Sequence, residues 1–233
     1  MPIWYLSEQL VFPHPLSASH EGILAIGGDL SLDRLRLAYA YGIFPWYTTD
    51  EPILWWFPDP RCVMKPAEIM ISKSMRLLML KDPFQFTFDT VFHQVISQCR
   101  SIPRKDQRGT WIQPEMVGAY TALHEAGYAH SVEVWQEKNL VGGLYGVAMG
   151  RVFFGESMFS LVSNASKCAL IILADFLKKK DFWLIDCQEN TPHIRSMGAA
   201  LMPATAFHHI LYKNRLTTEI PGKWVSHQGH LHL

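Results

Sequence analysis

The stretch from Leu140 to Gln188 constrains this chain most. Two apolar runs, Leu140 to Met149 and Arg151 to Ser160, meet at Gly150 and read as the strands of one hairpin. An amphipathic helix follows over 165–178, with Asn164 or Ser163 as its cap. It ends in Lys178-Lys179-Lys180, where a helix dipole favours cations. Phe182 to Cys187 is then a short apolar strand. Strand, helix and strand in that order imply a right-handed crossover and a parallel pair. The fold must therefore join an antiparallel run to one βαβ unit. That places the chain in the α/β (α+β) class, as a mixed acyltransferase-like sandwich and not a doubly wound sheet.

The neighbouring segments agree with this. Ser131 to Trp135 alternates like a strand and reaches the hairpin through the turn Glu137-Lys138-Asn139. Ser72 to Lys81 reads as a short basic helix stopped by Asp82-Pro83. Asp89 is the expected cap of a helix that buries Val91, Phe92, Val95, Ile96 and Cys99. Pro114 opens a further helix and Gly127 closes it. Two more are expected near 191–198 and 204–215, and the tail from Pro221 is weak in structure. The first 60 residues differ. Prolines at 45, 52, 58 and 60 forbid long regular elements, and one helix stands out, capped by Ser31 and ended by Gly42. A domain boundary is expected near Cys62, giving a small N-terminal domain over 1–62 and a second domain over 63–233.

With 233 residues, 48% hydrophobic and 18% charged, the chain is long and apolar enough for a real core. Met1 to Leu10 is not built like a signal peptide, and no uncharged apolar run reaches the ~18 residues of a membrane span. A cytoplasmic protein with no membrane partner is expected, its four cysteines reduced.

Several chemistries are excluded by spacing. None of the 11 histidines has a ligand-grade pattern, so no metal is expected. No phosphate-binding glycine loop is present, and Gly142, Gly143 and Gly146 read better as sites of a bulge or close backbone approach. Leu161 to Ser166 lacks the glycine loop of coenzyme A-dependent acyltransferases, and Gly155 to Phe159 is no serine-hydrolase elbow.

What remains is a polar set in apolar surroundings: Glu156, Asp186 and Gln188. Alternation puts Asp186 and Gln188 on one strand face. Two readings stand side by side: a loop anchor accepting backbone N–H bonds, or a carboxylate that orients an amide in a pocket. The segment 61–108 has nine Lys/Arg against four acids, a net +5 in a neutral protein. It is a set of solvated helix faces or an anion-binding surface. Trp46 and Trp111, in polar or proline-rich loops, either stack on a ligand or cover a seam.

Longer motifs run in order across the chain: Gly22 to Leu30, Tyr41-Gly42-Ile43-Phe44-Pro45-Trp46, Leu54-Trp55-Trp56-Phe57-Pro58-Asp59-Pro60-Arg61, Gly109-Thr110-Trp111-Ile112, His130 to Trp135, Leu140 to Val147, Phe154 to Ser160, Asn164 to Lys167 and Leu184-Ile185-Asp186-Cys187-Gln188. Together they resemble the leucyl/phenylalanyl-tRNA–protein transferase family. The resemblance implies an acetyltransferase-like (GNAT-type) C-terminal domain with a mixed sheet. It implies transfer of Leu or Phe, and also Met, from aminoacyl-tRNA to proteins with N-terminal Arg or Lys, which marks them for degradation by the N-end rule. No cofactor is implied, because the aminoacyl ester is already activated. By the same resemblance Asp186 and Gln188 sit at the reacting centre, and Glu156 helps recognise the acceptor. Trp46 and Trp111 hold the terminal adenosine. Leu144, Phe153, Met158, Leu170, Leu177, Ile185 and Ser196 line the aminoacyl pocket. Lys73, Arg76 and Lys81 then belong to a face that tracks the tRNA backbone. The rival readings are an acyl-CoA-dependent N-acyltransferase and a non-catalytic RNA-binding module.

Overall fold

The computed structural model describes residues 3–81, 83–102, 112–217 and 221–224. The proline-rich start forms a small sheet of short strands: β1 (Trp4–Leu6), β2 (Ile23–Gly27), β3 (Phe44–Pro45) and β4 (Leu54–Trp56). Their order is β1-β2-β4-β3, with β1 parallel to β2 and the other pairs antiparallel. Helix α1 (Leu32–Ala40) lies between β2 and β3; the Ser31 hydroxyl accepts from the Arg34 N–H, and Gly42 follows with φ 75°. Sequence pattern finds this helix but none of the strands, because two to five residues are too few to show alternation.

The rest builds a seven-stranded mixed sheet. Its elements are β5 (Arg61–Met64), α2 (Lys73–Leu80), β6 (Gln85–Phe88), α3 (Phe92–Ser101), α4 (Pro114–Glu125), β7 (Ala129–Gln136), β8 (Asn139–Met149), β9 (Val152–Ser160), α5 (Ala165–Lys179), β10 (Leu184–Gln188), α6 (Pro192–Arg195), β11 (Ala200–Met202) and α7 (Ala204–Asn214). The order is β11-β5-β10-β9-β8-β7-β6. Only β9 and β10 are parallel, joined through α5 as the sequence implies. The expected antiparallel run is present, from β7 to β9, and β6 extends it by one strand. The strands β5, β6 and β11, three or four residues long, carry no sequence signal.

Two apolar clusters cover the sheet. One joins Leu35, Tyr39 and Trp55 to Val95, Ile96, Tyr120, Phe154 and Phe207. The other joins Met75, Met79, Leu144, Phe153, Ile185 and the buried side of α5. Phe153 and Phe154 thus face opposite layers, as strand neighbours do. Each fully buried side chain of this size contributes about 1.5–3 kcal/mol. The first cluster ties the small sheet to the large one.

One expected cap is corrected, and a second keeps its position without a side-chain bond. Asp89 does not cap α3: Val91 holds that position, and Asp89, at φ 54°, instead accepts from the Ser131 N–H and from His130. Asn164 does precede α5, but at φ 70° and with no side-chain capping bond. Of the tail from Pro221, residues 221–224 are described, and they bond to the body of the chain. Gly222 N–H donates to Gly127 O, and Trp224 N–H donates to Asp89 Oδ2.

Candidate active site

Glu156 and Gln188 meet because two adjacent strands each carry an extra residue. In β9, Ser157 pairs with Tyr145 and Gly155 with Gly146, so Glu156 has no partner across the ladder. In β10, Asp186 pairs with Val63 and Gln188 with Cys62, so Cys187 is the extra residue, and Gln188 takes φ 59°. Bulges re-aim side chains and break simple alternation. Gly146 is required opposite the first bulge: a Cβ there would run into the Phe154 carbonyl and the Phe153 ring. The glycine reading holds for Gly142 too, where Ala165 of α5 comes too close for a Cβ.

The Glu156 carboxylate gathers three donors. Tyr39 OH donates to Oε1 at 2.7 Å, Tyr120 OH to Oε2 at 2.9 Å and Gln188 Nε2 to Oε1 at 3.2 Å. Burial pushes the Glu156 carboxyl up to about 7, and the three hydrogen bonds pull the other way. Burial and the neighbouring carboxylate push both tyrosines well above the usual phenol range, so they remain donors. Neither tyrosine is singled out by sequence; α1 and α4 carry them in as ordinary core-facing residues.

Asp186 is engaged differently from the expectation. It is fully buried, and Arg61 grips both its oxygens, Nε to Oδ1 at 2.8 Å and Nη2 to Oδ2 at 2.6 Å. Arg61 also donates to Gly42 O at 2.8 Å, with its guanidinium over the Phe44 and Phe207 rings. The hydrogen bond between Asp186 and Gln188 runs from the Gln188 backbone N–H to Oδ1 at 3.1 Å, whereas the side-chain amide turns to Glu156. The expected carboxylate–amide pair is therefore corrected to a carboxylate–backbone one. Arg61, counted above with the basic segment, is fully buried in the core.

Glu156 and Gln188 line a cavity of about 660 Å³. Leu144, Phe153, Met158, Leu170, Leu173, Ile185 and Ile194 give it an apolar wall, while Phe44, Trp46 and Trp56 reach it from the small sheet. Trp46 rests edge-on against Trp56, 5.3 Å away, and Trp56 Nε1 donates to Trp46 O. Glu21, Glu156 and Glu189 also line the cavity; no lysine or arginine does so among the described residues. Leu144, Phe153, Met158, Leu170 and Ile185 therefore converge as expected. Leu177 and Ser196 do not line it. Leu177 is a buried residue of α5, one turn past Leu173, and Ser196 is exposed, its hydroxyl turned to His193 O. Trp111 lies outside the described residues. Lys73, Arg76 and Lys81 are exposed on and just after α2, away from this cavity.

Fold and cavity define the class first: a mixed α/β protein whose candidate site lies between two sheets. The leucyl/phenylalanyl-tRNA protein transferase model matches residues 63–212, and the model of that family's N-terminal domain matches 28–59. Among relatives named leucyl/phenylalanyl-tRNA–protein transferase, that of Syntrophobacter fumaroxidans is 54% identical, over 92% of each chain. That of Syntrophus aciditrophicus is 52% identical over 97% of this chain and 95% of its own. The Flavobacterium johnsoniae protein is 53% identical over 90% and 99%. The chain belongs to the leucyl/phenylalanyl-tRNA protein transferase family and is an aminoacyltransferase.

Proposed function

We propose that this chain moves Leu or Phe from charged tRNA onto proteins that begin with Arg or Lys, marking them for degradation in the cytoplasm. The observation that carries this reading is the pairing of an apolar cavity wall with an acidic rim around Glu156. The wall accepts a bulky uncharged side chain, Met included. It separates side chains that differ by a methylene by only ~1–3 kcal/mol. The acidic rim suits a cationic acceptor residue, to which the ionised Glu156 offers charge-assisted hydrogen bonds.

The residues divide the work. Trp46, with Trp111, stacks on the terminal adenosine. Gln188 orients the acceptor amine and stabilises the tetrahedral intermediate. Asp186 is a positioning residue, holding the Gln188 backbone in its left-handed conformation. The acceptor α-amine, with a reference pKa of ~8, attacks the ester carbonyl. Its ammonium form first loses one proton to solvent; the free amine then forms the C–N bond as the ester C–O bond breaks, and a second amine proton passes to the ribose oxygen, which leaves as a hydroxyl. The ester is already activated, so the reaction needs no cofactor. Residues 1–62 form the small domain that supplies the adenosine side, and 63–233 the acetyltransferase-like domain. Lys73, Arg76 and Lys81 track the tRNA backbone.

Radiolabelled Phe-tRNA incubated with the protein and an Arg-starting peptide tests this. Label should enter that peptide and stay out of a Glu-starting one. Label in neither peptide would refute the proposal.

A further inference from the structure

We propose that Trp224, ten residues past the end of α7, is a positioning residue that sets the depth of the aminoacyl pocket. The inference rests on reading the apolar side of the cavity as that pocket. Phe153 is the link. It is fully buried, it lines the cavity, and two neighbours confine its ring. One is Gly146, where a Cβ would come within 2.5 Å of the ring. The other is Trp224, with ring centroids 5.7 Å apart at 37°.

Trp224 is itself held in place. Its indole stacks on His130 at 3.8 Å and 4°, and lies 4.7 Å from the Phe176 ring of α5. Its backbone N–H donates to Asp89 Oδ2 at 2.7 Å, the oxygen that also takes His130 Nδ1 at 2.8 Å. Asp89 Oδ1 accepts from the Ser131 N–H at 2.9 Å. This buried carboxylate therefore ties the tail to β7, and the tail backs the pocket wall. Aromatic rings in a close-packed interior keep their rotamers only while their neighbours fill the space behind them. Without the indole, Phe153 can retreat from the cavity, and the pocket deepens toward larger side chains. A Trp that merely filled the core would, when removed, weaken transfer of every amino acid alike.

The experiment compares wild type, Trp224→Ala and Trp224→Phe, with kcat/KM measured for Phe-tRNA and Leu-tRNA at a fixed Arg-starting peptide. Trp224→Ala should shift the Phe-to-Leu ratio toward Phe by roughly tenfold. Trp224→Phe should restore most of it, with the KM for the peptide unchanged. In a Phe153→Ala background, Trp224→Ala should add no further shift, since both changes act through one wall. If Trp224→Ala loses its cooperative melt, Trp224→Phe carries the test, with a smaller shift of the same sign. An unchanged ratio in a folded variant, or an equal loss with both tRNAs, overturns the inference. Wild-type protein that transfers neither amino acid overturns instead the reading of the cavity on which it rests.

Discussion

Arg61 and Asp186 form a buried, two-pronged ion pair, and that pairing decides what Asp186 can do. Both carboxylate oxygens are occupied, and Asp186 does not line the cavity, so it acts on the site through the Gln188 backbone. Removing one partner of a buried pair leaves an uncompensated charge, which costs about 3–5 kcal/mol. Asp186→Ala should therefore lower the free energy of unfolding by that amount, read as a lower denaturant midpoint, and cut transfer, while charged-tRNA binding largely survives. A variant with wild-type midpoint and full transfer would refute this role. Asp186, Glu156 and Gln188 were readable from sequence as polar residues in apolar company. Arg61 was not, because a lone arginine beside other basic residues looks the same in sequence whether it is solvated or buried. Tyr39 and Tyr120 were not readable either, since only the fold brings α1 and α4 to Glu156.

At the scale of elements, long periodic segments were legible and short ones were not. The α5 helix and the β8–β9 hairpin announce themselves over nine or more residues. By contrast, β5 and β11, at four and three residues, are created by pairing with a sheet already in place. The bulge at Glu156 is signalled by Gly146 opposite it, but the one at Cys187 leaves no compositional trace, which is why alternation misplaces the Gln188 side chain. Helix α2 and the residue after it carry a prediction of their own. Lys73, Arg76 and Lys81 are exposed, with no acid in the helix. Changing all three to Glu should weaken tRNA binding and flatten the slope of log affinity against log salt by about one unit per lost phosphate contact. Fluorescence titrations across a salt series would show it, and an unchanged slope would remove these residues from the tRNA face.

For the whole molecule, the site exists because two sheets share a core. Trp46 and Trp56 come from the small sheet, and Glu156 and Gln188 from the large one, to line one cavity. Composition hides this arrangement: net charge is zero, while the cavity lining is acidic and the exposed α2 surface basic. The Glu156 carboxyl, raised to about 7, is neutral below that pH and charged above it. Attraction for a cationic acceptor should therefore be lost as pH falls through about 7, and present in full near pH 8. The most direct test compares kcat/KM for an Arg-starting and an Ala-starting peptide at pH 8, in wild type and Glu156→Gln, with saturating Phe-tRNA. Wild type should favour the Arg peptide strongly, and Glu156→Gln should reduce that preference by roughly ten- to a hundredfold, the worth of a charge-assisted hydrogen bond. A preference that survives the substitution intact would contradict the assignment of this carboxylate to the acceptor.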